Sequence, residues 1–401
     1  MIGVKLHLRP DAISRAMAHV VIIGGGAAGL SAAHELAALA RGGERITVVA
    51  NREAFRSASS TPWIAVQGNV EFDLAQNLRR IGVEFSAAGA RRLHPQDNQL
   101  ELGDGRRLEY DYLVIACGPR PAFDAVEGLG PDGHTNSLCH ADHLPGCVRE
   151  WTRYLCDPGP IVVGAVQGAT CIAPAYEGAL LMEAELRTRG LRERAPMTFV
   201  TAEPYIGELG VGGIGDSRAQ LETALRERGI AWIADARVER IERGTMHVTE
   251  NGGRKHHALA FRYAMLMPPF RGVDAVAGIE GLCNARGFIL VDEWLRNPRF
   301  PNIYAAGATV ASADPHAPFN EHKSPYRIES MVDAVVRNIR DQIDGRPPGA
   351  CPTWNRVELA DLGAPGLAFI ADPHGALRPR QGAADGGWVQ LSRCSTCDVG
   401  A

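Results

Sequence analysis

Cysteine and carboxylate side chains first suggest chemistry in the stretch VVGAVQGATCIAPAYE, Val162 to Glu177. An apolar strand runs into a loop of small residues and then into a helical pattern, and Cys171 stands where loop becomes helix. A thiol at a helix N-terminus feels the positive end of the helix dipole, which favours the thiolate, the nucleophile of sulfur exchange. The competing reading is a buried, inert cysteine. Glu177, six positions on, is a candidate base for that thiol, against a surface or helix-capping role. Gly164 and Gly168 have no third glycine in register, so the same stretch is a poor dinucleotide loop.

Eight further cysteines stand at 117, 139, 147, 156, 283, 351, 394 and 397. The N-terminal residues carry scattered charges and no apolar core, so no secretory signal and no disulfide framework is expected. Most of the cysteines then read as small buried hydrophobes. Cys394 and Cys397 form a C-x-x-C without a second pair or a histidine pair, which reads as a loose thiol tail; no metal site is expected. Met17 makes a natural start before the first strand, and residues 1–17 read as an extension or a misplaced start. Among the 401 residues 45% are hydrophobic and 22% charged, the values of a water-soluble chain. The net charge of -4 gives no basic surface for nucleic acid. No run approaches the roughly 20 apolar residues of a spanning helix. The expected location is cytoplasmic, or peripheral on the cytoplasmic face of a membrane.

The elements that must position these groups follow from the periodicity. His19–Ile23 is an apolar strand, Gly24, Gly26 and Gly29 follow in G-x-G-x-x-G spacing, Leu30–Ala40 reads as helix, and RITVVAN is the next strand. Strand, glycine turn, helix and strand together are the dinucleotide fingerprint in its required context. The acid that usually holds the ribose is missing: the strand ends at Ala50 and Asn51, with Glu53 nearest. The runs from Tyr110 to Phe123 and from Asn302 to Ala311 each give a strand closing on glycine, the second followed by a helix from near Ile328. Between them, strand and helix alternate again: PIVVGA, PAYEGALLMEAELRTRG, MTFVTAEP, DSRAQLETALRERG and one long strand IAWIADARVERIE. The fold class expected is therefore α/β, two Rossmann-like domains, the first discontinuous. They span 18–150 with 270–345, and 151–269, before a short C-terminal region at 346–401 containing strand-like GLAFIAD and GGWVQLS.

Several motifs in this order, GPIVVGA, GATCIAPAYE, EPYIG, GFILVDEWLR, NPR through NIYAAGA, and IESMV, resemble the sulfide:quinone oxidoreductase family of two-dinucleotide-domain flavoproteins, from Ala18 to about Leu391. The resemblance implies FAD in the first domain, sulfide oxidised by cysteines on one flavin face, and quinone reduced on the other. It implies a redox role for Cys171 and for Cys139 in NSLCHADH, on the linker between domains, a cysteine that ties the flavin covalently in some relatives. His143 matches a family histidine that handles a proton. The flavin contacts it implies are Gly24, Gly26, Ala27, Ala28, Gly29, Ala50, Asn51, Cys117, Gly118, Gly307 and Lys323, with Cys117 structural and Lys323 (or the helix behind it) facing the flavin ring. Ala308 stands where related reductases carry Asp.

Two departures stand out. The family's C-terminal redox cysteine falls on Glu358, within VELADLG, and a histidine of the EPYIGELG loop falls on Glu208. The amphipathic helices that seat the family on a membrane surface have no counterpart after WVQLS. The expected function is FAD-dependent oxidation of sulfide to sulfur or polysulfide with electrons passed to quinone, in a chain that also suits a homo-oligomer. The alternative is an FAD-binding paralogue with altered or lost activity, using a soluble acceptor or acting as a redox sensor. An NAD(P)H dehydrogenase ranks below both, for want of a second glycine fingerprint and a paired-cysteine motif beside the flavin.

Overall fold

A computed structural model describes residues 18–56, 71–170, 172–209, 212–213, 216–311 and 325–353, together with the backbone of three strands at Arg356–Ala360, Leu367–Ala371 and Gly382–Asp385. Cys171 and Lys323 lie outside the described residues, as do residues 1–17 and the run GGWVQLS.

The first sheet is parallel, in the order Ile303–Ala305, Tyr112–Ile115, Ala18–Ile23, Glu44–Val49 and Glu84–Ser86. Its central strands carry Val20, Val21, Ile22, Val48, Leu113, Val114 and Ile115, all buried, which is why they read as unbroken apolar runs. Helix Ala27–Leu39 covers one face, together with helix Pro325–Ile343, whose Met331, Val332, Val335 and Ile339 enter the same core. That helix begins at its proline, a residue suited to the first turn, ahead of the expected start near Ile328.

The second parallel sheet runs Ile230–Ile233, Met197–Thr201, Ile161–Ala165 and Tyr263–Met267. Helix Ala173–Thr188 lays Ala175, Tyr176, Ala179, Leu180 and Met182 on it. Helix Leu144–Cys156 packs on this second core through Leu144, Cys147, Trp151 and Tyr154, although the expected boundary at 150 cuts it in two. The long strand expected over 230–242 is two: Asp235 takes a left-handed φ of 47°, and Ala236–Glu242 leaves to join an antiparallel sheet with Thr245–Glu250 and Lys255–Ala260. No helix among the described residues is long and apolar enough to cross a membrane.

Candidate flavin and thiol site

The first glycine turn is built around backbone contacts that no side chain could share. Gly24 sits at φ +128°, and a Cβ there would stand 2.4 Å from the Ala116 carbonyl oxygen. A Cβ on Gly29 would stand 2.0 Å from the Gly24 carbonyl oxygen. Gly26 differs: a Cβ there would meet nothing within 4 Å, so its open side faces a hollow at the helix start. Gly26 is the N-cap and offers no side chain to the first amides of Ala27–Leu39, and the first turn carries no acid. The amides of Ala27, Ala28 and Gly29 thus stay available to an anion at a positive helix end. This unfilled cradle fits the pyrophosphate of a dinucleotide cofactor. Ala50 is tied by its amide to Ser86 (3.0 Å) and by its carbonyl to Gly89 (2.8 Å), and Asn51 beyond it is exposed.

Across the turn, the Cys117 thiol is pushed up to about 11 by burial, with the neighbouring Thr309 hydroxyl opposing the shift. The neutral thiol is its resting form. Gly118 follows at φ +65° with open space beside it, and Gly307 at φ +80° lies buried against Ala28.

Cys139 packs on the second core. It accepts a hydrogen bond from the Ser137 hydroxyl (3.0 Å), and its sulfur lies 3.9 Å from that of Met267. Burial pushes its thiol up to about 12. Although the residue as a whole is only half-buried, its sulfur is sheltered, and the resting form is the neutral thiol. His143 is half-buried, with its ring 5.5 Å from Phe123 and 5.6 Å from His140. Its Nδ1 is buried without a hydrogen-bond partner among the described residues. Burial lowers its pKa, His140 adds to the effect, and Asp142 and Asp132 oppose it. These effects favour the neutral imidazole.

Glu177 is 1% exposed, within helix Ala173–Thr188 and past its start. It is therefore no surface residue, and it lies past the Ile172 N-cap, whose own side chain makes no cap hydrogen bond. Glu208 instead accepts the Gly212 amide at 2.6 Å, closing its own loop.

Two sets of residues escaped sequence reasoning. Glu203, 3% exposed just past strand Met197–Thr201, accepts from the Tyr176 hydroxyl (2.6 Å), the Thr201 hydroxyl (2.8 Å) and the Leu209 amide (2.7 Å). Burial raises its pKa against those three bonds, and Glu208 raises it further. An acid directly after the second strand of a doubly wound unit was the available signal. Arg52 reaches His140 at 3.2 Å from a loop far away in sequence, which no local pattern announces.

This frame, a glycine cradle in one parallel α/β unit and sheltered thiols packed on another, defines a two-dinucleotide-domain oxidoreductase of the flavin-dependent kind. The family model for pyridine nucleotide-disulphide oxidoreductases matches residues 18–165. The chain is 34% identical over 372 residues to the sulfide-quinone reductase of Aquifex aeolicus, covering 90% of this chain and 85% of that one. The crystal structure of the Aquifex aeolicus enzyme superposes with a TM-score of 0.88 at 33% identity, covering 94% of this chain and 89% of that one. The mouse mitochondrial sulfide:quinone oxidoreductase is 23% identical over 75% of this chain and 68% of its own length. The chain belongs to the sulfide:quinone reductase family. The NADH-bound structure of NDH2 from Plasmodium falciparum, at 11% identity and a TM-score of 0.69 over 96% of this chain and 94% of that one, shares the fold alone.

Proposed function

We propose that this protein oxidises sulfide and passes the electrons to a quinone, using FAD held in the first unit. The observation that carries the reading is the open cradle at Gly26, in a chain that also shelters a linker cysteine and is similar along most of its length to sulfide-quinone reductases. The amides of Ala27, Ala28 and Gly29 would hold the pyrophosphate, Ala50 and Asn51 the ribose side, and Cys117, Gly118, Gly307 and Lys323 the rest of the cofactor. When bound, FAD would supply the two-electron acceptor and donor chemistry that links sulfide to quinone.

Cys171 serves as the sulfur nucleophile, its thiolate favoured by the helix start at Ala173. Cys139 serves as its redox partner, kept neutral by burial until sulfur chemistry reaches it. His143, neutral and half-buried, takes the proton released there. Glu177 acts as a base on the helix that follows Cys171. With glutamate at 358, sulfur leaves after a shorter chain of exchanges than a third cysteine would support.

Sulfide-dependent reduction of a soluble quinone tests this. Cys171→Ser and Cys139→Ser should each lower the rate at least about 100-fold, the range for removing a nucleophile or its partner. Rates within twofold of wild type in both variants would remove the cysteine mechanism. The acceptor-altered paralogue would show as sulfide-driven flavin reduction with no quinone turnover.

A further inference from the structure

His140 adjoins Cys139, and its ring is engaged on both edges. Nε2 lies 3.2 Å from an Arg52 guanidinium nitrogen, and Nδ1 lies 3.3 Å from the Asp142 carboxylate. The Asp142 amide also points at Nδ1, at 3.3 Å, so no single tautomer serves every contact; with Nδ1–H turned to the Asp142 carboxylate, the Nε2 lone pair accepts from Arg52 and the amide contact is forgone. Arg52 sits just beyond strand Glu44–Val49 of the first unit, whereas Cys139 packs on the core of the second. The contact therefore spans the two units at the linker. The His143 amide also donates to the His140 carbonyl at 3.0 Å, so the same turn sets the histidine facing Phe123.

We propose that Arg52, His140 and Asp142 form a latch that ties the linker beside Cys139 to the first unit while Cys139 itself packs on the second, making Arg52 and His140 positioning residues for the redox cysteine; this rests on the role given to Cys139 above. Protonation opens the latch, because a second ring N–H on Nε2 would point at the guanidinium. The charged groups facing His140 are Arg52, Asp142 and His143, with Asp132 acting on His143. Burial lowers the His140 pKa, Asp142 opposes the shift and Arg52 adds to it. The latch is therefore closed at neutral pH and opens as pH falls through the lowered value.

The test is the rate at which Cys139, identified by peptide mapping of the flavin-loaded protein, reacts with dithiodipyridine. Arg52→Met should speed labelling about tenfold, the effect expected for loss of a hydrogen bond of this strength. Arg52→Lys, which keeps a donor, should stay near wild type. His140→Gln still accepts from Arg52 but cannot be protonated, so the wild-type to His140→Gln ratio should rise between neutral pH and about pH 5. Labelling of Arg52→Met within twofold of wild type, at normal flavin content, overturns the latch. Should Arg52→Met fail to fold, a wild-type to His140→Gln ratio that does not move with acid overturns it equally. Undiminished sulfide-driven quinone reduction by Cys139→Ser would instead remove the redox role of Cys139, a failure separate from any labelling result.

Discussion

The molecule contains two glycine turns at the ends of two parallel sheets, and they have been put to opposite uses. At the first, the helix begins directly at Ala27, Gly26 faces open space, and no acid stands in the first turn. At the second, the strand leaves Gly164 at φ +159°, where a Cβ would stand 1.8 Å from the Val200 carbonyl oxygen. The backbone then folds inward over Val166, Ala169 and Ile172, all buried, before a helix begins at Ala173. A hollow of ≈ 10 Å³ lies there, room for about one water, with Glu203 and Glu208 in its lining, and a wider pocket of ≈ 650 Å³ opens beside it over Gln167, Gly168 and Ala202. The two acids beneath the turn disfavour a pyrophosphate where the second unit would otherwise hold one. The same fold thus supplies an open cofactor cradle once and an acid-lined turn once.

The comparison can be broken most sharply at Gly29. Gly29→Val forces a side chain against the Gly24 carbonyl, so the protein should lose flavin and at least about 3 kcal/mol of stability. Flavin absorbance per protein and thermal unfolding check this. Gly26→Glu separates cradle from fold: with open space for its Cβ, it should unfold within a few degrees of wild type yet bind little flavin.

On the second side, Glu203→Ala strands the Tyr176 hydroxyl and the Leu209 amide, at a cost of about 2 kcal/mol with flavin content unchanged. The raised Glu203 pKa adds a pH signature. The folded state favours its protonated form, so this stability is full below the ordinary glutamate value and is lost as pH rises through the raised one. Urea titrations of wild type and Glu203→Gln across that range should converge at low pH and separate above it.

Thiol labelling sharpens the comparison further. Among the described cysteines, exposed Cys156 and Cys351 should react first with a maleimide at neutral pH. Cys117, Cys139 and Cys147, whose thiols burial raises to about 11, 12 and 11, should react at least about tenfold more slowly. The smallest effect is expected at Gly168→Ala. Its φ of +78° strains an alanine, but the new Cβ would only touch Pro269 at 3.4 Å, a cost of about 1 kcal/mol.

Much of this frame was legible because it is local. The spacing of Gly24, Gly26 and Gly29 after an apolar strand needs no distant partner to be read, and the buried runs at Val20–Ile23 and Ile161–Ala165 have no second interpretation. Asp235 was missed because aspartate enters the left-handed region without any flanking signal, so WIADARV reads as continuous strand. Arg52 and His140 meet only because two sheets are brought together, and neither neighbourhood carries a motif. The burial of Glu177 was not legible, because burial of a carboxylate inside a helix depends on what covers it, which sequence does not state. The roles of Cys171 and Lys323 rest on motif likeness, since both lie outside the described residues.

Anaerobic titration of the flavin-loaded protein with sulfide, beside a parallel titration with NADH, tests the central claim most directly through the flavin's visible absorption band. The open first turn and the acid-lined second turn predict bleaching by sulfide and none by NADH. Bleaching by NADH at stoichiometric concentration, with sulfide inert, would contradict the account and give the second unit the nucleotide that its acid-lined turn is argued to disfavour.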